Sequence, residues 1–244
     1  MIKNSFIFLE GIGKKKEINL WKCGINNWEE FIKRDEIKGI SKQRKKYYDS
    51  TLNEAKKQLF NEDLNLFFKF PSKERWRLYE HFKDEVLYLD IEIGSTRDDI
   101  ILIGMFDGFN VKTMVKNYNM DKEIFINEIK KYKLLITYNG LSFDVPAIEK
   151  YFGIKLNILH VDLKNLCLRL GLKDGLKEVE KKLNLKRPLN LYGRPYDAYK
   201  AFIASGDKEY LELLIKYNEE DIVNLKAIME YCYKHLKDKF IYFK

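Results

Sequence analysis

An apolar strand pattern runs from Val86 to Gly94 and reads Val-Leu-Tyr-Leu-Asp-Ile-Glu-Ile-Gly. Side chains alternate between the two faces of a strand, so Asp90 and Glu92 share one face while aliphatic side chains fill the other. Two neighbouring carboxylates repel each other, and an apolar setting tolerates neither without a counter-charge. The pattern therefore indicates a divalent cation. Taken alone, it fits an exposed sheet face with two solvated acids equally well.

A second segment places polar residues where an apolar strand gives way to a helix. The strand breaks at Asn139-Gly140, and the chain continues through Phe143-Asp144 into a helical pattern with Pro146 in its first turn. Proline is tolerated at that position of a helix. Asp144 suits the N-cap of the same helix, which is a purely structural alternative for it.

A third segment lies in a late helical pattern. Tyr217 and Asp221 are four residues apart there and so share one helix face. Such pairs are common on surface helices, so this spacing is informative only together with the other two segments.

The order of the three motifs resembles the tyrosine branch (DEDDy) of the DEDD exonuclease superfamily, which has the ribonuclease H-like fold. The motifs are D-x-E on a strand, N-x-x-x-F-D at a strand-to-helix junction and Y-x-x-x-D on a helix, within residues 86 to about 232. One departure is Ile93-Gly94, where the family more often has threonine.

The resemblance implies a site made of four acids and one tyrosine. The acids that hold two divalent metals would be Asp90, Glu92, Asp144 and Asp221. Tyr217 would position the attacking water. A tyrosine ordinarily has a pKa near 10 and is therefore a poor general base at neutral pH. The resemblance also makes Asn139 and Phe143 candidates for nucleic-acid contact.

The residue types are those that phosphodiester cleavage needs. Two metals about 3.5–4 Å apart can activate the attacking water and stabilise the leaving oxygen. A carboxylate cluster without histidine or cysteine fits Mg²⁺ or Mn²⁺, and two ions per site are expected. The three histidines and three cysteines lack zinc-site spacing, and no G-x-S-x-G hydrolase motif is present.

Periodicity and turn signals predict the fold independently of these motifs. They indicate an α/β, ribonuclease H-like mixed sheet of five strands, three antiparallel and then two parallel, flanked by helices. Asp107-Gly108 is the hairpin signal between the second and third strands. The predicted strands are Leu87–Ile93, Ile100–Phe106, Phe109–Val115, Leu134–Thr137 and Asn157–Val161. The predicted helices are Lys122–Tyr132, 145–152, Leu163–Leu170, Leu176–Leu183, Pro195–Ser205 and Lys208–Lys237.

Two further segments allow two interpretations each. Asp162 is predicted to cap the helix that starts at Leu163, and alternatively it lies near the acids. The predicted loop 186–195 contains three cations and a tyrosine. It could close over a substrate strand or be an ordinary solvated connector.

The first 85 residues form a separate module in this interpretation. A Gly11-Ile12-Gly13 turn between two apolar runs resembles a helix-hairpin-helix element, in which backbone N–H groups approach phosphate. Gly11, Gly13, Lys14 and Lys15 are therefore candidate nucleic-acid contacts. The alternative is a mini-domain that packs its two tryptophans. Ahead of a DEDDy domain, this module is similar to the YprB-type group of predicted exonucleases. The predicted domains are 1–70 and 86–244, with a linker at 71–85.

Composition fits a nucleic-acid enzyme. The chain has a net charge of +8 and a pI near 9.1, although the predicted site concentrates acids, so positive charge must lie elsewhere. Residues 1–85 contain 19 lysines and arginines against 14 acids. A lysine-rich proteome is the alternative explanation. Three scattered cysteines, no apolar stretch of membrane-spanning length and no signal-peptide core predict a cytoplasmic protein without membrane contact.

These observations predict a metal-dependent 3′–5′ exonuclease acting on single-stranded nucleic acid, with DNA favoured over RNA. Polarity follows from the resemblance alone. One alternative is a non-catalytic nucleic-acid-binding module on the same fold. Another is a structure-specific endonuclease.

Overall fold

A computed structural model describes residues 1–61, 63–187 and 195–241, with side chains described up to Lys239. The chain divides into two compact units. Unit 1 contains Met1–His81 and the described residues that follow Cys232, and unit 2 contains Phe82–Cys232. All the predicted metal ligands and Tyr217 belong to unit 2.

Unit 2 is built on a mixed five-stranded sheet with the strand order β3-β2-β1-β4-β5. The strands are β1 (Val86–Ile93), β2 (Ile100–Phe106), β3 (Val111–Val115), β4 (Leu134–Thr137) and β5 (Leu159–Asp162). β2 is antiparallel to both β1 and β3, whereas β4 is parallel to β1 and β5 is parallel to β4. The predicted ribonuclease H-like topology is confirmed.

The α-helices of both units follow the amphipathic patterns of the sequence. In unit 1 they are α1 (Lys14–Lys22), α2 (Trp28–Lys33) and α3 (Lys42–Phe60), and α4 (Tyr79–Phe82) ends at the first residue of unit 2. In unit 2 they are α5 (Lys122–Ile129), α6 (Asp144–Phe152), α7 (Leu163–Arg169), α8 (Leu176–Lys182) and α9 (Pro195–Ser205). The last helix, α10 (Lys208–Ile241), begins in unit 2. Among the described residues, none of these helices has the length and apolar character that a bilayer crossing needs.

The two faces of the sheet have different coverings. Leu89 and Ile91 of β1 pack with Phe125 of α5 and Ile148 of α6 in one buried cluster. The opposite face packs against α9 and α10, through a cluster that includes Leu102 of β2. Because side chains alternate along β1, its two acids point to the α9–α10 face.

One boundary differs from its prediction for a clear reason. The third strand begins at Val111 rather than Phe109. The Asp107 carboxylate accepts hydrogen bonds from the N–H groups of Phe109 and Asn110, at 2.8 and 2.7 Å. An aspartate side chain that binds the backbone in this way lengthens the turn at the expense of the strand.

Unit 1 is organised around a buried ion-pair network. The Glu17 carboxylate of α1 accepts hydrogen bonds from the N–H groups of Phe6 and Ile7, at 2.7 and 3.1 Å. It also accepts one from Arg77 Nη1 at 2.8 Å. Arg77 Nε donates to Glu74 at 2.9 Å, and the side chains of all three ionised residues are at most 3% exposed. Charges buried this deeply are stable only when paired and hydrogen-bonded.

This network corrects two predictions about residues 1–85. The apolar run before Gly11 is not helical, because residues 5–12 pass through successive turns fastened to Glu17. The helix-hairpin-helix resemblance therefore fails in its first helix. The segment predicted as a linker is helical over Ser72–Leu78 and buries Trp76 completely, so it is not an open connector.

We expect Arg77→Met to lower the free energy of unfolding by about 3–5 kcal/mol, because it leaves the buried Glu17 carboxylate without a cation and leaves Glu74 with the exposed Lys14 alone. Urea denaturation measures this. Lys14→Met is the matched control, since Lys14 is exposed and pairs with the same Glu74 at 2.8 Å; its effect should stay within about 1 kcal/mol. Adding Glu17→Gln to Arg77→Met should recover part of the loss. An Arg77→Met protein as stable as the wild type would contradict this account.

Candidate active site

Three acids from distant parts of the sequence meet on the α10 side of the sheet. Asp90 and Glu92 come from β1 and Asp221 from α10, and one carboxylate oxygen of each lies within 4.8 Å of the others. Asp221 is only 7% exposed. Asp221 lies over β1 because α10 packs against this face of the sheet.

Asp144 joins the group from the start of α6. Its carboxylate accepts a hydrogen bond at 3.1 Å from the N–H of Ile91, the residue between the two acids of β1. The pairing of β1 with β4 covers only Val86–Tyr88, so Ile91 lies beyond it. The N-cap of α6 is Phe143, and the capping alternative for Asp144 is therefore wrong.

Asn218 is a site residue that sequence reasoning missed. Its Nδ2 donates to Asp90 Oδ2 at 2.9 Å, and its side chain also bonds Glu92. Gly104, opposite Asp90 on β2, makes the room for it, since a β-carbon there would overlap Asn218 Oδ1. A signal was present in the sequence: Asn218 follows Leu214 by four residues on the buried stripe of α10, where a polar side chain requires partners.

A half-buried cation, Arg187, contacts the acids. Arg187 donates to Glu180 of α8 through Nε and Nη2, at 2.6 and 2.8 Å, and its Nη2 also donates to Asp221. Asn224 of α10 donates to the same Glu180 at 3.0 Å. Arg187 belongs to the predicted loop 186–195, and it is a site residue rather than a solvated one. Residues 188–194 of that loop lie outside the described residues.

Tyr217 lies one helical turn before Asp221 and is half-buried. Lys177 of α8 donates to its hydroxyl, and the Lys177 nitrogen lies 4.4 Å from the centre of its ring. The positive charge of Lys177 also lowers the pKa values of Glu92 and Asp221, although burial outweighs it in both. Lys177 therefore links the tyrosine electrostatically to the acids.

The acids cannot all be ionised at neutral pH without added positive charge. Burial, and then the charges of the neighbouring acids, raise the pKa of Asp90 well above its usual range. Burial is likewise the main cause that raises the pKa of Glu92 to about 8 and that of Asp144 to about 7. The pKa of Asp221 is raised by burial and partly restored by Arg187.

This donor set fits a hard divalent cation. It consists of carboxylate oxygens, which Mg²⁺ and Mn²⁺ prefer, and a bound cation would relieve the repulsion that raises these pKa values. The four acids are the residues that could hold such ions.

The loop that leads to Asp144 is held by Asp162. The Asp162 carboxylate accepts hydrogen bonds from the N–H groups of Asn139 and Leu141, at 2.9 and 3.1 Å. It also accepts one from Lys164 N at 3.0 Å, which makes it the predicted N-cap of α7. Asp162 thus both caps a helix and positions the loop that ends at Asp144.

The residues predicted to contact nucleic acid are more dispersed. Asn139 has a left-handed backbone (φ 68°), and its side-chain oxygen accepts from Ser142 and Lys164. Phe143 packs against the core beneath Arg97, whose guanidinium is 5.1 Å from the ring centre.

In unit 1, Gly11 has a positive φ of 75° and Gly13 precedes α1 as its N-cap. Both Lys14 and Lys15 are exposed, and Lys14 forms an ion pair with Glu74. The nucleic-acid contacts of these residues stay predictions.

Comparison with known protein families identifies the superfamily of the part of the chain that contains the sheet. The model of the RNase_H superfamily matches residues 87–233. The chain belongs to the RNase H superfamily. The matched range contains every acid of the cluster and all five strands except for Val86, the first residue of β1. Proteins of this fold are typically nucleases that use divalent metals. Comparisons with curated proteins and with solved structures find no significant match.

The raised pKa values predict how stability depends on pH in the RNase H-like unit. A carboxyl group with a pKa of about 8 in the folded state and about 4.3 in the unfolded chain binds its proton more tightly when folded. Its contribution to stability is therefore present below pH 4 and is lost as pH rises to 8. In EDTA, Glu92→Gln should be more stable than the wild type at pH 8, with a gap that narrows toward pH 5.

Thermal unfolding at pH 5–8.5 in EDTA measures this gap. Glu212→Gln makes the same chemical change at an exposed position of α10 and should leave the pH dependence unaltered. A constant difference between Glu92→Gln and the wild type across this range would contradict the account.

Proposed function

We propose that the chain is a metal-dependent 3′–5′ exonuclease of the DEDDy type, similar to the YprB-type group, which shortens single-stranded nucleic acid and favours DNA over RNA. The observation that supports this most is the gathering of Asp90, Glu92 and Asp221 around one point of an RNase H-like sheet, with Asp144 bonded to the same strand. A binding module without catalysis has no need to bury mutually repelling carboxylates.

The four acids would hold two Mg²⁺ or Mn²⁺ ions. When bound, such ions activate water and stabilise the leaving oxygen of a phosphodiester. Asn218 would keep the Asp90 carboxylate in place, because it donates to the oxygen Oδ2. Asp144 would be kept close to β1 by its bond from Ile91.

Tyr217 would orient the attacking water through its own hydroxyl proton. An ammonium group only donates hydrogen bonds, so the tyrosine oxygen is the acceptor from Lys177. The hydroxyl proton then points to another acceptor, and a water molecule beside the acids can be that acceptor. Lys177 is a positioning residue in this proposal.

The direct test uses 5′-labelled single-stranded DNA and RNA oligonucleotides with Mg²⁺ or Mn²⁺. The proposal expects a ladder of labelled products that shorten one nucleotide at a time from the 3′ end. Internal fragments at the earliest times would indicate an endonuclease. Binding without cleavage under either ion would indicate a non-catalytic module.

Asp90→Asn should reduce cleavage below detection while the protein stays folded, because it removes a carboxylate from the centre of the cluster. Titration with Mn²⁺ by calorimetry should show weaker binding or fewer ions. Asp238→Asn is the matched control, since it makes the same change at an exposed position of α10. Full activity in Asp90→Asn would refute the catalytic assignment.

Tyr217→Phe should reduce turnover by roughly 10²-fold or more, the effect typical of a positioned proton-handling group. Its affinity for Mn²⁺ should stay unchanged, since the tyrosine is not among the acids. Tyr210→Phe, on an exposed part of the same helix, should behave like the wild type. Loss of Mn²⁺ binding together with turnover would show that Tyr217 supports the structure of the site rather than the reaction.

A further inference from the structure

Unit 1 contains a cavity of about 440 Å³, none of whose lining residues belongs to the acid cluster. Ligand pockets in proteins commonly have volumes of roughly 300–1,000 Å³. The cavity lies between one face of α1, the turn-rich segment 34–40 and the first turns of α3. Every lining residue belongs to unit 1, so the pocket is a feature of this unit alone.

The inner wall of the pocket is apolar. Ile12, Leu20, Ile25 and Ile37 line it and are each less than 10% exposed. Tyr48 closes the wall, and its hydroxyl is already bonded to the Glu10 carbonyl at 2.7 Å. Such a wall accepts a flat or aliphatic group and offers it little competition from water.

The rim of the pocket is strongly basic. Its cations are Lys16, Arg34, Lys38 and Arg44. The one acid in the lining, Glu36, is paired with Lys42 at 3.0 Å. Within the part of the chain that the structure describes, no ion pair is formed by Lys16 or Lys38. The rim therefore has positive charge to offer a ligand.

We propose that this pocket binds an unpaired nucleotide of a nucleic-acid strand. The base lies against the isoleucine wall, and the flanking phosphates contact Lys16 and Lys38. An anion with an apolar planar body is what this combination selects. Grooves for single strands combine cations with aromatic surfaces on which bases stack, and here the aliphatic wall closed by Tyr48 would take the place of such a surface. This inference rests on the proposed function, since it supplies that enzyme with a second hold on its substrate.

The pocket changes which lysine of α1 is expected to contact nucleic acid. Lys14 forms an ion pair with Glu74, so it is not available to phosphate. The run before Gly11 is not a helix, so the first of the two helices expected to support the predicted nucleic-acid contacts is absent. Lys16, two residues further along α1, faces the pocket instead.

Cys23 provides a local probe of the pocket. It lines the cavity and is exposed, whereas Cys167 and Cys232 are buried. N-ethylmaleimide should therefore modify Cys23 first in the folded protein. With EDTA present, a 12-residue oligothymidylate or oligouridylate at ten times its dissociation constant should slow this reaction by about tenfold.

An unchanged rate of Cys23 modification with bound oligonucleotide would overturn the proposal. Protection by a peptide of alternating glutamate and leucine, without protection by either oligonucleotide, would overturn it too, because the occupant would then be an acidic protein segment. The two oligonucleotides together show whether the pocket distinguishes DNA from RNA.

A pair of double variants tests the rim independently. Lys16→Gln with Lys38→Gln should flatten the dependence of log affinity on log salt by about 1.4, since each lost phosphate contact on a single strand accounts for about 0.7. Lys33→Gln with Lys46→Gln removes the same charge from α2 and α3 outside the pocket and should leave the slope unchanged. Equal slopes for the two double variants would overturn the proposal.

The outcome is separable from that of the proposed function. Cys23 protection and the salt slope are both read in EDTA, where no cleavage is needed. Protection without cleavage in Mg²⁺ or Mn²⁺ would retain the pocket and reject the exonuclease. Cleavage without protection of Cys23 would support the exonuclease and reject the nucleotide pocket.

Discussion

Repulsion among partly or fully buried carboxylates is the constraint on which the RNase H-like unit depends. Asp90 and Glu92 stand side by side on β1, and α10 brings Asp221 against them. Burial raises the pKa values of all three acids, and repulsion from neighbouring carboxylates, including Glu180 beside Asp221, raises them further. A fold gains no stability from such a cluster, and removing charge from it would usually help. Its presence is therefore best explained by a cation that the folded protein binds.

The residues around the acids compensate for that repulsion with hydrogen bonds and one positive charge. A strand acid can be buried only if its lone pairs find donors, and Asn218 supplies one to Asp90. Asn218 reaches the sheet because position 104 is glycine, so one missing side chain on β2 permits the bond. Arg187 plays the corresponding part for Asp221, and buried Glu180 fixes its direction.

The fold and the acids could be predicted from the sequence, whereas their partners mostly could not. Strand alternation and the Asp107 turn are local signals, so all five strands can be predicted within two residues at either end. Arg187 could not be assigned, because its role depends on α8 packing beside α10. The turns before Gly11 could not be predicted for a similar reason, because Glu17 and Arg77, which are 60 residues apart, hold that segment in place. Bonds between distant residues leave no periodicity in a sequence.

Arg187 and a metal ion would compete for the same acid. The arginine donates to Asp221 through the nitrogen that also bonds Glu180, so its grip on Asp221 is shared rather than exclusive. A divalent ion at Asp221 would weaken that bond by drawing on the same carboxylate and by repelling the guanidinium. The bonds to Glu180 would remain and keep Arg187 beside the site. Its fork of donors would then be free to meet a phosphate, the anion for which arginine is best suited. In the proposed exonuclease, the guanidinium that partly offsets the charge of Asp221 before metal binding would thus be available to the substrate afterwards.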